Sequence, residues 1–115
     1  MAREDLATQF LLQDMPKEWW GLEFRNIIET HLPTLRTQGS TIQTITDSEG
    51  YHHTGDLYSL LTARNIISKY HWIVMRVNKF YSTLEYDGKA FDLIVPNEDA
   101  INMIWDLYRT TANVD

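Results

Sequence analysis

The chain has 115 residues, 43% of them hydrophobic, no cysteine and a formal net charge of -6. That length suits one domain with its own core, and the apolar fraction excludes a chain too polar to fold. The missing thiols exclude a disulfide framework, a thiolate metal site and a cysteine nucleophile. The scattered Lys and Arg of an acidic chain exclude the basic footprint that phosphate backbones require.

No apolar run reaches the roughly 20 residues needed to span a bilayer. Met1 to Asp5 lacks the basic-then-apolar profile of a signal peptide, so synthesis in the cytosol and no membrane partner are expected. In chain order, Leu6, Phe10 and Leu11 give a short apolar stripe. Pro16 suits the first turn of a new helix, in which Trp20, Phe24, Ile27 and Ile28 recur at helical spacing and which Pro33 stops. The polar stretch to Ser40, with Gly39, reads as a linker. Thr41 to Thr46 is rich in β-branched residues and predicts a strand, and Asp47-Ser48-Glu49-Gly50 predicts a turn.

Asp56 is a good N-cap for a helix that places Leu57, Leu60 and Leu61 on one face. Ser68 can cap the next, which is apolar nearly all round through Tyr70, Trp72, Ile73, Val74, Met75 and Val77. Such a helix is packed on several sides, although a strand over 72–77 also fits a short apolar run. Asn78 suits a left-handed C-cap. Phe91 to Val95 predicts a second strand, ended by Pro96. Asn97 caps a last helix with Glu98 and Asp99 in its first turn and an apolar face of Ile101, Ile104, Trp105 and Tyr108. Arg109 lies near its end, and the tail from Thr110 to Asp115 frays. The fold class is α+β: two strands that pair only with each other, with both intervening helices on one face of the ribbon.

The segment Gly55-Asp56-Leu57-Tyr58-Ser59-Leu60-Leu61 resembles the opening of a LysM domain, Gly-Asp-Thr-Leu and a short apolar helix, without the Thr. Asn78 falls where LysM domains place an Asn, and Leu93-Ile94-Val95-Pro96 looks like their closing strand. The run Tyr70-His71-Trp72-Ile73-Val74-Met75-Arg76-Val77-Asn78 is similar to the LysM-like baseplate wedge proteins of contractile-tailed bacteriophages. The resemblance covers about residues 41–97. It implies a single domain over 1–115: a helical extension at 1–40, a LysM-like βααβ core at 41–97, and a C-terminal helix with tail at 98–115. It also implies a structural protein of the virion's tail baseplate, made in the host cytoplasm. Such a protein would have other virion proteins as partners and no catalytic residues or cofactor.

The residues themselves offer little chemistry. His52 and His53 are neighbours that point apart in an extended segment, and His31 and His71 lack ligand spacing to them, so no metal is expected. Asp47, Glu49 and Asp56 are explained as turn and cap residues. Ser59 and Ser68 lie in no nucleophile elbow, and no glycine-rich phosphate loop is present. No enzyme is expected.

The aromatics are candidates for partner contact. Trp19 and Trp20 lie about 100° apart on a helix. Either one broad face buries both, or Trp19 is exposed as an interface anchor. Phe80, Tyr81 and Tyr86 follow the second core helix. They can pack on the domain itself, meet a protein partner, or stack on sugars, because this loop and the one after the first strand form the glycan groove of LysM domains. Three functions follow: an assembly module, a LysM-type binder of peptidoglycan or chitin, or a small regulator of one host protein.

Overall fold

A computed structural model describes residues 15–112 of the chain. The apolar stripe of Leu6, Phe10 and Leu11, and residues 113–115, lie outside the described residues. The fold is α+β, with a two-stranded antiparallel sheet and helices before, between and after the strands. A 3-10 turn at Lys17–Trp20 leads into α1 at Leu22–Thr37. Then come β1 at Thr41–Ile45, the single turn α2 at Asp47–Tyr51 and α3 at Leu57–Ala63. A second 3-10 turn at Ser68–Tyr70 opens α4 at His71–Val77, and β2 at Phe91–Val95 precedes α5 at Glu98–Ala112.

Thr41 faces Val95 and Ile45 faces Phe91 across the ribbon. Ile45 and Leu93 lie on the face turned to the core, while Thr44 donates from its hydroxyl to Asp92 on the other face. The face that carries Ile45 and Leu93 is covered from within the loop between the strands. Leu57, Leu60 and Leu61 of α3 are buried, and Asp56 accepts from the Ser59 amide as its cap. Residues 72–77 are helix and not strand, and every residue of α4 except Arg76 is buried.

Several local expectations are corrected. Gly21, extended at ψ 162°, divides the first predicted helix into a 3-10 turn and α1, so Pro16 opens the turn and not the helix. Pro33 does not stop α1, which runs on to Thr37. A proline removes one intrahelical bond, whereas the buried stripe of Phe24, Ile28, Leu32 and Leu35 spans the whole helix. Arg36 also ties the last turn down, donating to the Val77 and Arg76 carbonyls. The residues from Asp47 form a helical turn, capped by the Thr46 side chain, and not a simple turn. Ser68 lies inside its 3-10 turn and caps nothing with its side chain. Thr110 to Ala112 continue α5.

Asn78 has φ -90° and Lys79 takes the left-handed position at φ 69°, so the predicted left-handed cap is displaced by one residue. The Asn78 side chain is used instead as a clamp. Its amide donates to the Val74 and Ile94 carbonyls and its oxygen accepts from the Ile94 amide, each at 2.8 Å. It therefore joins the end of α4 to the free flank of β2.

One aromatic cluster ties the flanking helices to this core. The Trp19 ring lies 5.2–6.4 Å from those of Trp20, Phe24, Tyr70, Trp72 and Trp105. Its indole N–H donates to the Lys69 carbonyl at 2.9 Å. α1 packs against both α4 and α5, and these rings fill the space between them.

Candidate functional site

Leu22, Arg25, Asn26 and Glu29 occupy α1 at i, i+3, i+4 and i+7, a stripe next to the buried one. With Tyr58 of α3, Trp72, Met75 and Arg76 of α4 and the loop from Tyr81, they line a groove of about 530 Å³. Its charged groups are ordered. Glu29 accepts two bonds from the Arg76 guanidinium, both at 2.8 Å, and Arg76 also donates to the Phe80 carbonyl. The hydrogen bond from Arg76 lowers the Glu29 pKa against the opposing effect of burial, and the same bond raises that of Arg76. The Arg76 guanidinium lies 4.1 Å from the centre of the Tyr81 ring. Arg25 lies over the Trp72 ring at 5.9 Å and joins none of the ion pairs among the described residues. Trp72 is 7% exposed, and its buried indole N–H has no acceptor among those residues.

The four predicted contact residues separate sharply. Tyr81 is 77% exposed and stands at the groove's rim, held on Arg76. Trp19 is 0% exposed and central to the core, so the expectation that it is an exposed anchor is corrected: the adjacent Trp20 lies only at the core's edge. Tyr86 is 2% exposed and is also corrected. It packs on Phe80 and Phe91, its hydroxyl donates to the Lys89 carbonyl, and burial raises its pKa. Phe80 is partly buried against the core. Leu22, Arg25 and Tyr58 were missed in the sequence, although the helical spacing of Leu22, Arg25 and Glu29 was a readable signal.

The two loops that would bound a LysM glycan groove are bonded to each other. The Gly55 amide donates to the Tyr86 carbonyl at 2.8 Å, and the Ala90 amide to the Asp47 carboxylate at 2.8 Å. A Cβ on Gly50 would meet the Gly88 carbonyl oxygen at 2.6 Å, so the loops are in close contact. Tyr51 is an exposed aromatic of the first loop.

Several of the remaining polar residues have structural partners. Glu49 accepts from Arg64, which lowers its pKa. His53 Nδ1 lies 2.6 Å from the Ser59 hydroxyl, which is also 2.9 Å from the Asp56 carbonyl oxygen. Among the described residues no carboxylate is hydrogen-bonded to the His53 ring to orient it as the base of a triad. His71 is buried beside Tyr58, with Nε2 on the Ile66 carbonyl at 2.8 Å, and burial lowers its pKa. Among the described residues no group of three or more His, Asp or Glu is placed to hold a metal ion, and no helix is long and apolar enough to cross a membrane. Comparison with protein-family models, with curated proteins and with solved structures finds no match to this chain.

Proposed function

We propose that this chain is a structural assembly module that works by protein–protein contact, of the LysM-like kind found in phage baseplate wedges, and not an enzyme. The observation that carries the reading is Tyr81: an exposed aromatic whose ring rests on Arg76, itself gripped by Glu29. A ring ordered before binding loses less freedom on contact, and exposed Tyr and Arg are favoured interface anchors. The LysM-like part of the reading is supported by the Asp56 cap and by Asn78, which works at the position the resemblance singles out. Tyr86, one of the aromatics that a sugar would need, is buried, and the loops around it are tied together. This favours a protein partner over a glycan.

The test compares the protein with its Tyr81→Ala variant. Wild-type protein should co-purify with a tail protein and occur in purified particles. Tyr81→Ala should weaken the complex with an unchanged melting temperature. Neither form should pellet with peptidoglycan or chitin. Saturable chitin binding lost in Tyr51→Ala would establish the glycan reading instead, and capture of a single host protein through Tyr81 would make the chain a regulator.

A further inference from the structure

We infer that copies of this chain join head to tail, the outer face of α5 on one copy seated in the Tyr81 groove of the next. This deepens the proposed function, because it rests on that groove being a contact surface. α5 turns Trp105 and Tyr108 inward, yet it also exposes Met103 at 65% and Leu107 at 64%, one helical turn apart. Asp99, Asn102, Asp106 and Thr110 surround this pair. An exposed apolar pair ringed by polar groups has the composition of an interface core and rim.

The charges select the occupant. Asp106 is paired with Arg109, which leaves Asp99 exposed and outside the ion pairs among the described residues. In the groove Arg76 is paired with Glu29, which leaves Arg25. Each face thus holds one internally neutralised pair and one remaining charge, acidic on α5 and basic in the groove. Each also has apolar members: Met103 and Leu107 on one, Leu22 and Tyr81 on the other. Two α5 faces meeting each other would offer Asp99 no unpaired basic side chain, since Arg109 is held by Asp106, and in a parallel arrangement would set Asp99 against Asp99 in a chain whose net charge is already -6. Like charges across an interface are penalised, so the contact joins unlike faces. A contact between unlike faces repeats into a ring or an open chain of copies.

The experiment is sedimentation of the full chain at low salt, with two variants that each spoil one face. Arg25→Glu reverses the groove charge, and Met103→Glu with Leu107→Glu removes the apolar pair from α5. All these positions are exposed, and circular dichroism melts check that the folds are kept. Wild type should show mass rising beyond two copies at concentrations up to roughly 1 mM. Each variant alone should associate at least about tenfold more weakly. An equal mixture of the two should give a two-chain species and nothing larger, because one intact groove and one intact α5 face remain. A monomeric wild type, a mass that stops at two copies, or a mixture that stays monomeric overturns the inference. If Arg25→Glu and Tyr81→Ala then still release a tail protein, the proposed function survives that failure. If they release nothing, the groove reading fails with it.

Discussion

Replacing Trp19 by Ala tests whether the aromatic cluster holds the flanking helices to the core. The side chain is fully buried, and its N–H is bonded to the Lys69 carbonyl. Excising a buried Trp costs about 3–5 kcal/mol through lost transfer energy and the cavity left behind. Leaving the partly buried Lys69 carbonyl without its donor adds about 1 kcal/mol. A total near 5 kcal/mol meets an expected stability of roughly 5–15 kcal/mol, so most of the folded population is at risk. Trp19→Phe keeps one ring and the contacts to Phe24 and Trp105 but loses the hydrogen bond, and should cost about 2 kcal/mol. For a domain of this size each kcal/mol moves the melting temperature by about 4 °C. Trp19→Phe should therefore melt about 8 °C lower, and Trp19→Ala about 20 °C lower or show no cooperative transition. Urea titrations followed by circular dichroism should rank the three proteins in the same order. A Trp19→Ala protein with wild-type stability that had lost a binding partner would refute the reasoning and return Trp19 to the surface.

Three further outcomes are expected. Burial holds the His71 pKa below its ordinary 6.5, so its contribution to stability is complete above about pH 6.5 and falls away as pH drops toward the folded-state value. Melting temperatures between pH 7 and 5 should decline more in wild type than in His71→Gln, which keeps a donor for Ile66 but does not titrate there. Gly50→Ala should cost about 2–3 kcal/mol, because its methyl group collides with the Gly88 carbonyl and the Tyr86 hydroxyl; an unchanged denaturation midpoint would show that these loops separate easily. Asn78→Ala should cost about 2 kcal/mol by removing the partners of Ile94, and Asn78→Asp should not recover it, since a carboxylate would face the Val74 and Ile94 carbonyls.

The strands and the Asp56 cap were legible in the sequence because their signals are local: β-branched runs, a proline after β2, and a side chain that bonds its own helix. The division at Gly21 was not, because a glycine adopts an extended conformation here with nothing beside it to announce the break. That division is why Trp19 was placed wrongly. In a 3-10 turn successive side chains are about 120° apart, and the wheel drawn for a continuous α-helix no longer applies. Pro33 misled for the opposite reason, since burial along α1 outweighs one missing bond. Of the loop aromatics, Tyr81 and Tyr86 differ only in tertiary surroundings, and a loop has no period from which exposure could be read. The groove was half legible. Tyr81 was named, but Arg25 and Leu22 matter only because α4 and its following loop come to lie beside them.

A ribbon of two strands has two open flanks, and a flank of unpaired backbone is a template for adding another chain's strand. Here both flanks are engaged from within: Asn78 takes the amide and carbonyl of Ile94 on one, and Arg64 donates to the Thr44 carbonyl on the other. Strand exchange between molecules, the usual first step of fibrous aggregation, must first displace these side chains. The same two residues that connect helices to strands thus also occupy part of each flank, which narrows the backbone that a strand of a second molecule could reach.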